Sequence, residues 1–303
     1  MDKDYKKLLR KQSYSFLGEH SALKVCTWTR KSISNKGVCY KEKFYGIKSH
    51  LCAQISTTLN FCDMDCIFCW RKRHNSEFGT IDQPKDVLDK IPEAQRKMIS
   101  GLGGLQGANL RKWKDASKPK HLAISLTGET LYYPKLSEFI KEAHKLNYTT
   151  FIVTNGQLPE VLEKLEEPTQ LYISLDAPNE ELFKIIDQPM RKNAWGRLIQ
   201  SLKLLKRFKR SCIRITLIRE YNMVQPEQWA KILEESSPKF VEIKGFTLIG
   251  ESRNRLRIEN MPFHKEVKEF AEEISKHCSY KFIDEQPESK VVLLMKEDKD
   301  RKI

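Results

Sequence analysis

The chain has 303 residues, 40% hydrophobic and 31% charged, a composition that points to a folded, soluble protein with a sizeable core. No run approaches the roughly 18 apolar residues of a membrane span, and the opening Met1-Asp2-Lys3-Asp4 lacks the apolar stretch of a secretory signal, so a membrane role is excluded and a cytoplasmic protein is expected. Lys and Arg outnumber Asp and Glu by 54 to 40, a net charge of +14, which favours polyanionic partners but is also found on the charge-rich surfaces of heat-adapted proteins.

Residues 1–50 are basic and turn-rich, with no clean period, and read as an irregular extension that carries Cys26 and Cys39. From residue 51 to 303 strand-like and helix-like segments alternate, the pattern of βα units around a parallel sheet. Strands are expected near Cys52–Leu59, His121–Leu126, Thr150–Thr154, Gln170–Leu175, Cys212–Ile218 and Phe240–Phe246. Between them, Lys135–Leu146, Pro159–Leu165, Ala194–Phe208 and Pro226–Glu235 have apolar residues at helical spacing. Six such units predict an α/β fold, a partial (βα)6 barrel of parallel strands, with chemistry at the strand C-terminal ends and an open side for a large substrate. The stretch from Arg71 to Lys120 reads as an insertion or as a helical crossover, and its basic Arg111-Lys112-Trp113-Lys114 run either faces a polyanion or is a solvated face. Lys265–Lys276 predicts a helix, and Tyr280–Ile283 with Val291–Met295 predicts a C-terminal strand pair.

Eight cysteines in a cytosolic chain suit metal or redox sites better than a disulfide framework. Cys62, Cys66 and Cys69 follow the first strand at CxxxCxxC spacing. Three thiolates on one loop can hold three irons of a [4Fe-4S] cube and leave the fourth iron open. A zinc site is the competing reading, with His74 the nearest candidate for a fourth ligand. Cys26, Cys39 and Cys52 are each separated by 12 residues; they are either scattered packing residues or a second triplet assembled by the fold. Cys212 and Cys278 have no thiol neighbour in sequence and read as packing residues.

The three cysteines after the first strand, Phe68 before the last of them, and Gly128-Glu129 after the second strand resemble the radical S-adenosylmethionine (SAM) superfamily over roughly residues 52–250. The resemblance implies a cluster that reduces SAM, with its amino group received at the Gly128-Glu129 turn, although the turn reads Gly-Glu-Thr where Gly-Glu-Pro is common. Asn155, Ser174 and Asp176, at the ends of strands three and four, are then candidates to hold the ribose and carboxylate of SAM. Taken singly, Asn155 and Asp176 are as readily cap or turn residues. Cys39-Tyr40-Lys41, the two twelve-residue spacings, Ile173-Ser174-Leu175-Asp176-Ala177 and Phe240-Val241-Glu242-Ile243-Lys244 further resemble the archaeal tRNA 4-demethylwyosine synthases over nearly the whole chain.

That resemblance implies a second [4Fe-4S] cluster on Cys26, Cys39 and Cys52. It also implies two substrates, tRNA(Phe) carrying N1-methylguanosine beside the anticodon and pyruvate. The N-methyl carbon would become the radical that attacks pyruvate, whose other two carbons close a third ring as the carboxyl is lost. Lys41, two residues after Cys39, is the candidate to condense with the pyruvate carbonyl; the alternatives are Lys43 or a lysine that only pairs with the carboxylate. A monomer served by a separate electron-donor protein is expected. The rival functions are another radical SAM enzyme and a zinc-containing RNA-binding module.

Overall fold

The computed structural model describes residues 1–303. Its strands are β1 (Ser15–Phe16), β2 (Ala22–Lys24), β3 (Cys52–Ser56), β4 (His121–Ile124), β5 (Thr149–Thr154), β6 (Gln170–Ser174), β7 (Ser211–Leu217), β8 (Phe240–Gly245), β9 (Lys281–Gln286) and β10 (Val291–Met295). Its helices are α1 (Lys3–Lys11), α2 (Thr27–Ile33), α3 (Tyr40–Tyr45), α4 (Pro84–Ile99), α5 (Leu110–Ala116), α6 (Leu136–Lys145), α7 (Pro159–Leu162), α8 (Glu180–Asp187), α9 (Ala194–Lys203), α10 (Pro226–Ser236) and α11 (His264–Lys276). No helix is long and apolar enough to cross a membrane.

The six expected strands, β3 to β8, pair in parallel and in sequence order. Hydrogen-bonded order continues through β10 to β9 on one side and through β2 to β1 on the other, all antiparallel, so the ten strands form an open, partial barrel. Period-two alternation builds it. Ala53, Ile55, Leu122, Ile124, Ile152, Leu171, Ile173, Ile213, Ile215, Val241 and Ile243 point outward into the main core beneath the helices. The alternate residues point into the lumen. Low in the lumen, Phe151, Tyr172, Cys212 and Phe240 pack with Tyr40, Phe44 and Tyr45 of α3.

One expectation needs revision, and one left open between two readings is decided. The extension is not irregular: it contributes three helices and two strands, and β2 pairs with β3. Its helices are only six to nine residues long; Asp2 caps α1 by accepting from the Tyr5 N–H at 2.7 Å. Residues 71–120 are chiefly the β3–β4 crossover, since the sixteen-residue α4 begins at Pro84 and buries Val87, Leu88, Ile91 and Ile99. The basic run lies on α5, which packs on α2 and near Leu51 at the N-terminal ends of the strands. There Lys112 Nζ donates to Asn35 Oδ1 at 2.9 Å and Trp113 Nε1 to the Ile99 carbonyl at 2.9 Å. Arg111 and Lys114 remain exposed, away from the barrel mouth.

Candidate active site

At the C-terminal end of β3 the chain turns into a loop on which Cys62, Cys66 and Cys69 line one cleft of about 480 Å³, together with Tyr5, Arg71, Thr127 and Gly128. Long-range bonds fix this loop. Asp63 accepts from the Tyr132 hydroxyl at 2.7 Å, the Asn155 amide at 2.7 Å and Arg191 Nε at 2.8 Å. Arg255 donates to the carbonyl and carboxylate of Asp65, both at 3.0 Å, and to the Cys69 carbonyl at 3.3 Å. Burial pushes the thiols of Cys62 and Cys66 up, and the neighbouring carboxylates of Glu129 and Asp187, respectively, push them further. As thiolates they therefore need a positive centre beside them. No three His, Cys, Asp or Glu side chains converge closely enough for a single metal ion. A cluster presents a different iron to each ligand, so its requirement is soft donors spread around a shared cavity, and this loop meets it.

The turn after β4 backs the same cleft. Gly128 has φ +73°, and a Cβ there would lie 1.5 Å from the Thr58 carbonyl oxygen, so only glycine lets this turn lie against the cysteine loop. Glu129 is buried, and its carboxylate accepts from Thr154 Oγ1 at 2.6 Å, the Asn155 N–H at 2.8 Å and the Leu131 N–H at 3.0 Å. Burial raises its pKa to about 7 against the opposing pull of those bonds. Asp176 accepts from the Thr216 N–H at 2.7 Å and is pushed up by burial. Ser174, at the end of β6, is half-buried, and Phe68 packs against the main core.

The second triplet also lines one space. Cys26 and Cys39 occupy the N-cap positions of α2 and α3, and Cys52 opens β3. All three line a cavity of about 730 Å³ with Lys41, Gln54, Ser125, Arg214 and Lys244. Burial raises the thiol pKa of Cys39 to about 11 and of Cys52 to about 12. The two helix N-termini and the neighbouring cations favour thiolates here. Lys41 is 7% exposed, and its ammonium sits 4.5 Å from the ring centres of both Phe151 and Tyr172. Burial, then the Arg214 charge, lowers its pKa, against the opposing pull of Glu242 and the cysteines. Lys43 does not line the cavity; it is exposed, pairing with Asp284 on β9 at 3.0 Å.

β3 runs from Cys52 of the second triplet toward the loop of the first, roughly 13 Å over the four rises of ~3.3 Å between its five residues. The second site faces the barrel interior, where half-buried Gln54, Ser125, Val153, Ser174, Arg214, Thr216 and Lys244 alternate with buried outward residues. Arg214 is locked from three sides: it donates to Glu242 Oε2 at 2.8 and 3.1 Å and to the Tyr40 hydroxyl at 2.6 Å, and it lies 4.5 Å from the Tyr172 ring centre. Sequence reasoning assigned no role to Arg214, Glu242, Lys244, Asp63, Arg191 or Asp187, whose carboxylate lies 3.4 Å from Cys66 Sγ. One signal was available: charged residues at alternate positions of otherwise apolar strands, as in Arg214 and in Glu242 with Lys244, mark a polar lumen.

Known proteins share this sequence and fold. Residues 56–233 match the radical SAM superfamily and residues 235–296 match wyosine base formation. The SAM-dependent tRNA 4-demethylwyosine synthase of Pyrococcus horikoshii is 42% identical, the match covering 99% of this chain and 91% of that protein. The enzyme of the same description from Methanocaldococcus jannaschii is 41% identical over 97% of this chain and 96% of its own length. A structure of TYW1 with a lysine-pyruvate adduct bound superimposes with a TM-score of 0.90 at 39% identity, covering 100% of this chain and 98% of that one. The chain therefore belongs to the S-adenosyl-L-methionine-dependent tRNA 4-demethylwyosine synthases, within the radical SAM superfamily.

Proposed function

We propose that this enzyme joins the N-methyl carbon of N1-methylguanosine, beside the anticodon of tRNA(Phe), to pyruvate inside the barrel lumen, forming the tricyclic 4-demethylwyosine base. The observation that carries this reading is the pair of thiol triplets at opposite ends of β3, each gathered around one cleft, with Lys41 lining the second. Cys62, Cys66 and Cys69 hold the [4Fe-4S] cluster that, with SAM bound, supplies one-electron cleavage of the sulfonium and a carbon radical for hydrogen abstraction. Gly128 and Glu129 receive the SAM amino group, and Asn155, Ser174 and Asp176 border its ribose and carboxylate, with Phe68 beneath the loop. Cys26, Cys39 and Cys52 hold the second [4Fe-4S] cluster.

Residues 1–50 act as a unit that closes the inner end of the catalytic barrel of residues 51–303. Lys41 condenses with the pyruvate ketone. Burial, and then the charge of Arg214, make the Lys41 ammonium lose its proton more easily than one in water, against the cation–π attraction of its two neighbouring rings, and the free amine is the nucleophile. The lysine-pyruvate adduct in the similar TYW1 structure supports this role. The Arg214–Glu242 pair keeps a fixed cation beside that amine and cannot swing into the lumen. The protein acts as a cytoplasmic monomer, and its electron comes from a separate protein. Borohydride reduction with labelled pyruvate should trap an adduct on Lys41, and Lys41→Arg should abolish both adduct and product while the iron content stays unchanged. Normal product formation by Lys41→Arg would end the assignment.

A further inference from the structure

We infer that α1, with the loop at Lys72–Arg73, is the docking surface for an acidic one-electron carrier protein that reduces the Cys62–Cys66–Cys69 cluster; the inference rests on the radical SAM reading of that site. Three observations converge on this face.

The first is its place. Tyr5 of α1 lines the same cleft as the three thiols, and its hydroxyl donates to the Lys72 carbonyl at 3.4 Å. Both Tyr5 and Tyr14 are close enough to Cys69 for its charge to bear on them. The second is an aromatic bridge from solvent to thiol. The Tyr5 ring stacks on the His74 imidazole, centroids 4.2 Å apart and planes 14° apart, and the half-buried Trp70 follows Cys69 directly. Electron tunnelling weakens steeply with distance, so a carrier gains most by seating where one layer of side chains covers the cluster. The third is charge. Residues 1–11 carry five cations and two acids. Lys3, Lys7, Arg10 and Lys11 are exposed on α1, with Lys72 and Arg73 beside them. Of the two acids, Asp2 is occupied as the helix cap, bonded to Tyr5 N and 3.4 Å from His74.

An acidic carrier complements this patch, and steering by such a field raises encounter rates in a salt-dependent way. RNA would also be attracted to the charge, and a loss of tRNA affinity on charge reversal is the outcome that would reveal it; the carrier is favoured because Tyr5, Lys72, Arg73 and His74 line the same cleft as the three thiols. In the transfer one electron leaves the reduced flavin or iron-sulfur group of the carrier and enters the oxidised cluster; no bond forms or breaks and no proton is required.

The test uses cluster-loaded protein and an acidic flavodoxin in its hydroquinone form, with cluster reduction followed by stopped-flow absorbance and electron paramagnetic resonance. Reversing three charges, Lys3→Glu, Lys7→Glu and Lys11→Glu together, should slow reduction by flavodoxin at low salt about tenfold or more. It should also flatten the salt dependence and weaken flavodoxin binding measured by calorimetry. Reduction by dithionite and tRNA affinity should stay unchanged. The matching Lys→Gln variant should fall between the two, which separates charge from damage to the helix. Unchanged flavodoxin rates, or a loss of tRNA affinity with normal flavodoxin rates, would overturn the inference. Absence of wyosine product while these rates behave as stated would count against the reading of the reaction, not against the docking surface.

Discussion

Arg214→Met removes one partner of a buried ion pair, and the cost follows from what remains. The Glu242 side chain is 0% exposed, and without Arg214 its carboxylate keeps the Tyr45 hydroxyl, which donates to Oε1 at 2.6 Å, and the charge of Lys41, to which it is not hydrogen-bonded. Removing one partner of such a pair strands the other charge and costs about 3–5 kcal/mol, against a total stability of roughly 5–15 kcal/mol. With an unfolding entropy of ~2.1 cal/mol/K per residue over 303 residues, that loss lowers the melting temperature by roughly 5–8 °C. Thermal melts of the cluster-loaded protein, followed by far-UV circular dichroism at one scan rate, would measure it. Arg214→Met with Glu242→Gln should recover most of the loss, because a neutral amide needs no counter-charge.

The pH dependence has a definite sign. Burial raises the Glu242 pKa, but Arg214, Lys41 and the Tyr45 hydroxyl together hold it below the usual carboxylate range. The wild-type carboxylate thus contributes stability above its unfolded pKa of about 4.5, which is lost as pH falls through the lower folded value. In Arg214→Met the larger opposing charge is gone and only Lys41 and the Tyr45 hydroxyl still act against burial, so the deficit relative to wild type should be largest near neutral pH and narrow on acidification. A single variant costing under ~1 kcal/mol, or a double variant no better than the single, would refute the claim that this pair is a desolvated ionic lock.

Replacing Cys62, Cys66 and Cys69 together by Ala should remove about half the iron and leave one spectroscopically distinct cluster; retention of all the iron would show that the triplets are not independent sites. SAM binding to the cluster-loaded protein should tighten as pH rises through about 7, where Glu129 ionises and can attract the SAM ammonium. Glu129→Gln should bind SAM more weakly and without that pH dependence in calorimetry, and a pH-dependent variant would place the titration elsewhere. tRNA affinity should fall steeply with salt, with a log–log slope equivalent to several phosphate contacts. Arg111→Ala with Lys114→Ala should leave it nearly unchanged, since both lie away from the barrel mouth; a large loss would place the RNA across α5.

The radical SAM triplet was legible because its ligands are local: three thiols within eight residues, after an apolar strand, stay close in any fold of that loop. The six parallel strands were legible for a similar reason, since strand and helix periods are properties of short windows. Cys26, Cys39 and Cys52 are different. Their equal spacing carries no geometry, and they share a cavity only because β2 pairs with β3 while α3 inserts beneath Phe151, Tyr172 and Phe240. Lys41 stood out as a nucleophile beside a cysteine, but its burial between two rings and its nearness to Arg214 depend on strands more than 100 residues away. Lys43, two positions on, faces Asp284 instead because two residues, about 200° of helical rotation, carry it to the other side of α3. The Asp63–Arg191 pair spans 128 residues and Arg214–Tyr40 spans 174. Local propensity fixes which residues form strands and loops; which charges meet inside the barrel is decided by closure of the sheet, because only that brings the inward positions of distant strands around one lumen.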